Sequence, residues 1–452
     1  MKKSSRPASR SSVGRWSNRL RGLRNCLSVI AVSLMVLPSA PVAALSMPTP
    51  QELIQMLASS PLLARDVASR DIAAARLDQA LAALKPRLTG RLDGKRFSSM
   101  RAVETRNSDI LGSLEIVQPV YDFGRSRGGI DAARAEIMAQ AFDQQITLSR
   151  LVLEGMALYY ELHASDLEVQ ALQEENTIAF FRAVRLEEKD VVGDANPIEL
   201  MEARAESGTA RYVYSKAKSS NLGIRLRLEE LTGKSFTETT LTPDVPEDEV
   251  FEVDLQKMVE LVQKAHPLAQ SLRAKRDAMQ ARANASGLFP KLEAYGRVNE
   301  STRNLRGRDE WALGARLVVP FYDGGVKSSE EAQWLAKRRQ LDADIAAINR
   351  SLVRQTHLAN LARQDARMRL TAARFAYKAG RQRLLLEQLQ RSQDREASVG
   401  GATTRIGHIE TELVRALGAY RIAGLQLAVL LGRPLNQSFA INFLEDLKIA
   451  DQ

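Results

Sequence analysis

Hydrophobic positions in this chain follow two rhythms. Along 125–191 apolar residues recur every seven positions. Ile130, Ile137, Leu151, Leu158, Leu172, Ala179 and Leu186 fill seven of the nine places in one series. A companion series four residues on contributes Ala141, Leu148, Leu162, Val169 and Ala183, so twelve of eighteen places are apolar against 44% for the whole chain. A strict seven-residue repeat predicts helices that supercoil left-handedly on their neighbours. No proline interrupts 125–191 or 326–399, so each is read as one long helix. At ~1.5 Å per residue a helix of that length reaches ~100 Å. It cannot fold back on itself and must lie beside others in a bundle, a filament or a tube.

Four short stretches alternate with period two instead. In 311–319 one face holds Trp311, Leu313, Ala315, Leu317 and Val319, and the other holds Arg316. Leu114 and Ile116 share a face while Glu115 points opposite. In 291–298 Lys291, Glu293 and Arg297 oppose Leu292, Ala294, Gly296 and Val298. In 87–95 Arg87, Arg91, Asp93 and Lys95 oppose Leu88, Gly90 and Leu92. Strands with one apolar and one charged face fit an outer-membrane barrel with lipid outside and water inside. Glu115 and Arg316 would then face the lumen. An amphipathic sheet covering a soluble core shows the same alternation, but no other sequence is available to cover such a sheet. Four strands cannot close a barrel, and open edges in lipid would strand backbone groups. Three copies would supply twelve strands, although two or four copies are also compatible with the arithmetic.

The chain is written twice. Val117-Gln118-Pro119-Val120-Tyr121-Asp122-Phe123-Gly124 returns as Val318-Val319-Pro320-Phe321-Tyr322-Asp323-Gly324-Gly325. Leu84–Leu88 matches Leu288–Leu292, and Ser60-Pro61-Leu62 matches His266-Pro267-Leu268. Val192-Gly193 matches Val399-Gly400, and Leu231-Thr232-Gly233 matches Leu431-Gly432. A repeat of this length marks duplication of a whole structural unit. The layout predicted is a first repeat over 45–233, with a helix at 66–84, a hairpin at about 87–119, the long helix 125–191 and a helix over 198–231. A linker covers 234–253. The second repeat over 254–432 has a helix at 268–288, a hairpin at about 290–319, the long helix 326–399 and a helix over 405–431. A tail covers 433–452. Breaks are expected at 192–197 and 400–404. In the twin turns proline is expected to end strand pairing at Pro119 and Pro320. Asp122 and Asp323 should cap the next helix, and Gly124 and Gly325 should permit the change of direction.

Charge alters this picture little. The formal net charge is +10, but residues 1–44 carry eight Lys and Arg and no acid, which leaves +2 on the remainder. The basic character therefore argues little for nucleic-acid binding. That basic stretch, the apolar run 27–37 and the small residues up to Ala44 read as an export signal ending at 44. The one cysteine, Cys26, lies before the apolar run, so lipidation and disulfides are not expected in the mature chain. His163, His266, His357 and His408 are far apart, with no metal-ligand spacing. There is no phosphate-binding glycine loop and no nucleophile elbow. No cofactor and no enzyme activity are expected.

The twin Tyr-Asp turns, Val192-Gly193 followed by Ile198–Ala205, and the helix ends at Leu231-Thr232-Gly233 and Leu431-Gly432 together resemble the TolC family of outer-membrane efflux proteins. The resemblance covers nearly all of the mature chain. It implies a mainly α protein with a small β part: a long antiparallel coiled-coil α-helical barrel plus four strands per protomer in a trimeric twelve-stranded barrel. It implies a homotrimer in the bacterial outer membrane with its tunnel in the periplasm. Partners would be a periplasmic adaptor (a membrane fusion protein) and an inner-membrane pump or ABC exporter, for drug efflux or type I protein secretion. The two breaks would form periplasmic tips, marked by Gly193 and Gly400. Acidic residues after them would line the entrance: Glu199 and Glu202 in the first repeat, and only Glu410 in the second. There Gly407 takes the partner position, with His408 beside it and Arg405 nearby, a departure that puts an acidic ring in question. A periplasmic coiled-coil scaffold or adaptor without a pore is the other reading.

Overall fold

The computed structural model describes residues 47–96, 108–236, 254–301, 310–392, 399–433 and 435. The expected export signal, nearly all of the linker and most of the tail lie outside the described residues. Eight α-helices and four strands follow one another as α1 (Pro50–Ala58), α2 (Ala64–Ala82), β1 (Arg87–Arg96), β2 (Ser108–Tyr121), α3 (Arg125–Val191), α4 (Pro197–Thr232), α5 (Leu255–Ala265), α6 (Pro267–Ala285), β3 (Lys291–Ser301), β4 (Trp311–Val318), α7 (Val326–Ser392) and α8 (Val399–Leu430). The order helix, helix, strand, strand, long helix, helix occurs in each half. The short openers α1 and α5 were not anticipated from the sequence. Each precedes one of the matched proline starts, and His266 caps α6 by accepting from the Leu268 N–H at 3.2 Å. Burial lowers the His266 pKa, which keeps the ring nitrogen available as that acceptor.

The long helix α3 carries the seven-residue stripe inward. Ile130, Leu151, Ser165, Leu172, Ala179 and Leu186 are buried, and the other three places of the main series are half-buried. The companion series is buried only at Gly155, Leu162 and Ala183. Helices α2 and α4 pack on α3, while α6 and α8 pack on both α3 and α7. The result is a layer rather than a ball, with α2 and α4 at one margin and α7 at the other. Midway along, Leu57 of α1, Leu151 and Met156 of α3, Leu231 of α4 and Leu427 of α8 form the main apolar core. Ser60 ties that core by donating to the Leu231 carbonyl at 2.7 Å.

Two boundary expectations are corrected. Residues 400–404 are not a break: α8 begins at Val399 and runs through them, and α7 ends at Ser392. Gly400, read as the start of a break, serves instead as a point of close approach, as do Gly407 and Gly418. An added Cβ at Gly400 would sit 3.2 Å from Ile178, at Gly407 2.9 Å from Ala171, and at Gly418 2.6 Å from Tyr160. Steps of seven and eleven along α8 are matched by steps of seven and eleven in reverse along α3, the register of two antiparallel helices at short separation. Helix α8 is long and apolar enough to cross a membrane by composition alone. More than half of its apolar window is buried in the protein, so its hydrophobicity is accounted for by packing.

The second correction concerns Pro119. Strand β2 continues through it to Tyr121, with Pro119 opposite Glu293 and Tyr121 opposite Leu292 across a bulge. A bulge absorbs the missing donor by skipping a residue. In the other repeat β4 ends at Val318, and Pro320 lies beyond the ladder.

The Gly418 contact gives a direct test. Replacing Gly418 with Val should lower stability by about 1–3 kcal/mol through overpacking against Tyr160. Thermal unfolding of the detergent-solubilised chain should show a lower midpoint, with a smaller loss for Gly418→Ala.

Candidate functional site

The four strands form one antiparallel sheet in the order β1-β2-β3-β4, with β2 pairing β3 across the two halves. Register makes the two faces explicit. Leu88, Ile116, Gly296 and Leu313 lie in one row, and Gly90, Leu114, Val298 and Trp311 in the next. On the opposite face Thr89, Glu115, Arg297 and Ala312 share a row. In these rows Gly90 pairs with Leu114, and Gly296 sits between Ile116 and Leu313. Trp311 is 71% exposed and Leu313 80% exposed, whereas Asp109 on the charged face is 1% exposed. The apolar rows are thus left uncovered, and β1 is exposed on both of its faces. On the charged face Arg316 donates from Nε to Glu293 at 2.9 Å and lies 3.6 Å from Glu115. The equivalent positions of the two repeats, Glu115 and Arg316, thus meet as opposite charges.

The twin turns convert strand into long helix in the same way. Asp122 accepts from the N–H groups of Gly124 and Ser126 at 3.3 and 2.7 Å. Asp323 accepts from those of Gly325 and Lys327 at 3.0 and 2.8 Å. Each aspartate satisfies backbone donors that a helix start leaves open. Gly124 and Gly325 take φ of 96° and 87°, where a Cβ is disfavoured. Gly324 is likewise left-handed, and Phe123 occupies the equivalent place at φ 55°.

At the far end, α3 turns into α4 through Gly193 at φ 77°, and Asn196 caps α4 by accepting from the Ile198 N–H at 3.0 Å. Glu199 and Glu202 lie exposed on the first turns of α4. Below them Ala183, Leu186, Leu200 and Ala203 form a small separate core. Two exposed pairs join the helices, Arg182 to Glu206 and Arg204 to Glu187, each at 2.8 Å. In the second half the candidates are placed differently. Gly400 is helical and packs on Ile178, and exposed Arg405 is 3.9 Å from Glu387 of α7. Glu410 is half-buried. Burial pushes its carboxyl above the ordinary value, and nearby Arg381 pulls it back in part.

A charge network across the layer escaped the sequence reading. Arg415 of α8 donates to Glu161 at 3.1 Å and Glu168 at 2.6 Å on α3, and pairs with Glu412, which meets Arg369 of α7 at 3.0 Å. Burial opposes the Arg415 charge, but the hydrogen bonds to Glu161 and Glu168 outweigh it and hold its pKa above normal. The signal was present in the sequence: Glu161 and Glu168 are seven apart, flanking the apolar stripe. Among the described residues no group of histidine, cysteine and carboxylate side chains is placed to hold a metal.

Glu410 yields a pH test. A folded-state pKa raised above the unfolded value contributes stability that is full below the unfolded value and lost as pH rises through the folded one. Glu410→Gln should therefore raise the thermal midpoint at pH 7 and match the parent near pH 4. An equal shift at both pH values would rule out titration as the cause.

Residues 53–234 match the model of the family described as "Outer membrane efflux protein". No curated protein matches the chain. Among solved structures, the CmeC outer membrane channel of Campylobacter jejuni superposes with a TM-score of 0.67 at 16% identity, covering 88% of this chain and 89% of that one. A membrane protein from Pseudomonas aeruginosa gives 0.66 at 16% identity, covering 90% and 98%. The open state of the Neisseria gonorrhoeae MtrE outer membrane channel gives 0.56 at 18% identity, covering 86% and 91%. At these identities the structures speak for the fold, and the family match speaks for the first half of the sequence. By that match and by a fold shared with solved outer-membrane channels over most of its length, the chain resembles the TolC family of outer-membrane efflux proteins.

Proposed function

We propose that the chain is the outer-membrane exit duct of a tripartite export system, a passive conduit opened by partner docking. Three copies would join edge to edge, giving a twelve-stranded barrel in the outer membrane and a helical tunnel in the periplasm. A periplasmic adaptor and an inner-membrane pump or ABC exporter would supply cargo and energy. Small toxic molecules and unfolded polypeptides both fit such a duct.

The observation that carries this reading is the uncovered apolar face of the sheet. Its apolar rows are exposed, while charge keeps to the other face, where Arg316 pairs with Glu293 and Glu115, an arrangement that suits lipid outside and water inside. The margins point the same way. Among the described residues strands β1 and β4 each have one unpaired edge, and exposed Leu361, Met368, Phe375 and Leu385 line α7 at the matching margin of the helical layer. A scaffold in water would have no reason to leave Trp311 and Leu313 uncovered.

Gating at the tips has an energetic rationale. The α3–α4 tip is held by a four-residue core and two exposed ion pairs. Exposed pairs contribute about 0–1 kcal/mol each, so an adaptor needs little differential affinity to splay the tips. Glu199 and Glu202 are the residues proposed to face incoming cargo or the adaptor there. Arg405 and Glu410 are proposed only as neighbours of the second tip, since each already faces α7.

Substitutions on the two sheet faces separate the readings. Leu313→Arg places a charge against lipid at about 2–4 kcal/mol if it sits at mid-bilayer. It should abolish outer-membrane insertion and bilayer conductance, while Ala312→Arg on the opposite face should leave insertion intact. Equal tolerance of both changes, with the chain released by osmotic shock, would favour the scaffold.

A further inference from the structure

A cavity of about 320 Å³ opens where the sheet hands over to the helices. Five of its lining residues are cations, Lys85, Arg87, Arg125, Lys291 and Arg316, and two are carboxylates, Asp122 and Glu293. Both carboxylates are already engaged. Asp122 accepts the two backbone N–H groups at the start of α3, and Glu293 accepts from Arg316 at 2.9 Å. Lys85, Arg87, Arg125 and Lys291 form no ion pair among the described residues. A second cavity of about 220 Å³ is also lined by Arg125 and Lys291. It contains Lys327 as well, which is paired with Glu330 at 2.5 Å.

Five cations against two carboxylates leave a net charge of +3 on the cavity lining (5 − 2 = 3), and a bound anion relieves the repulsion among them. Apolar walls from Val117, Pro119 and Leu292 keep the local dielectric low and focus the field into the cavity. Thr89 and Ser126 add hydroxyl groups. Guanidinium groups offer a fork of donors suited to oxyanions. We propose that this cavity is an anion-binding site for a phosphate-type oxyanion group, set at the junction of sheet and helical layer.

The cavity includes Arg87 and Thr89 of β1 and Glu293 and Arg316 of β3 and β4, all on the charged face of the sheet. It is therefore reached from the water side and not from the lipid side. This assignment rests on the duct reading for its supply of ligand and deepens it: each protomer holds a station that favours anionic cargo, or the anionic group of a larger cargo, at the entry to the barrel.

The test is calorimetric titration of the full chain in mild detergent with inorganic pyrophosphate. Saturable binding that weakens with added salt is expected. Arg125→Gln/Lys291→Gln should weaken it about tenfold or more, as loss of two charge-assisted hydrogen bonds implies. Lys85→Gln/Arg87→Gln, which leaves the helix start untouched, should also weaken it. Lys218→Gln, exposed on α4, should leave it unchanged. No saturable binding, or equal affinity in parent and both double variants, overturns the site. Bilayer conductance recorded on the same preparation keeps the two claims apart: a conducting protein that ignores pyrophosphate refutes the site alone, and a non-conducting one refutes the duct.

Discussion

A sheet with two unpaired edges cannot lie in lipid. Every N–H and C=O along β1 and β4 that lacks a partner costs several kcal/mol there, with no water to replace it. The helical layer has the same incompleteness at its margins, where α7 shows apolar side chains on a surface that nothing among the described residues covers. Helix α3 is covered on both sides by α2, α4, α6 and α8, whereas the outer elements of sheet and layer have partners on one side only. The proposed ring of three copies removes both deficits at once, since the same lateral docking that pairs β4 with a neighbouring β1 brings α7 against a neighbouring α2 and α4.

Charge is placed consistently with such a ring. On the sheet the paired carboxylates and guanidiniums keep to one face, Arg316 with Glu293 and Glu115. Within the helical layer, Arg415 stitches α8 to two glutamates of α3, and Arg225 binds Asp166 at 2.9 Å to hold α4 on α3. These contacts are partly shielded from water, unlike the exposed pairs at the tip. The layer is thus firmer along its length than at its far end, a gradient suited to a fixed wall with a movable mouth.

Much of this was legible in the sequence, because the relevant periods are long and repeated. The stripe from Ile130 to Leu186 located α3 and its buried face. Alternation fixed which strand residues share a side, and the twin Tyr-Asp turns located both strand-to-helix conversions. Failures arose where one residue type has two physical uses. Gly400 was read as a breaker, but its lack of a side chain serves close packing on Ile178. Pro119 was read as a strand end, but a bulge accommodates it. The openers α1 and α5 are short and carry too few turns to stand out by periodicity. The basic cavity was invisible because its cations come from α2's end, β1, α3's start, β3 and β4, which only the fold brings together.

The central claim is that the protomer is an open strip which closes only with copies of itself. Its most direct test is the mass of the protein particle in mild detergent, measured by native mass spectrometry or sedimentation with the detergent contribution removed. The account requires three protomers per particle. A stable single protomer, with Leu313 and Trp311 inaccessible to lipid-phase probes, would contradict it.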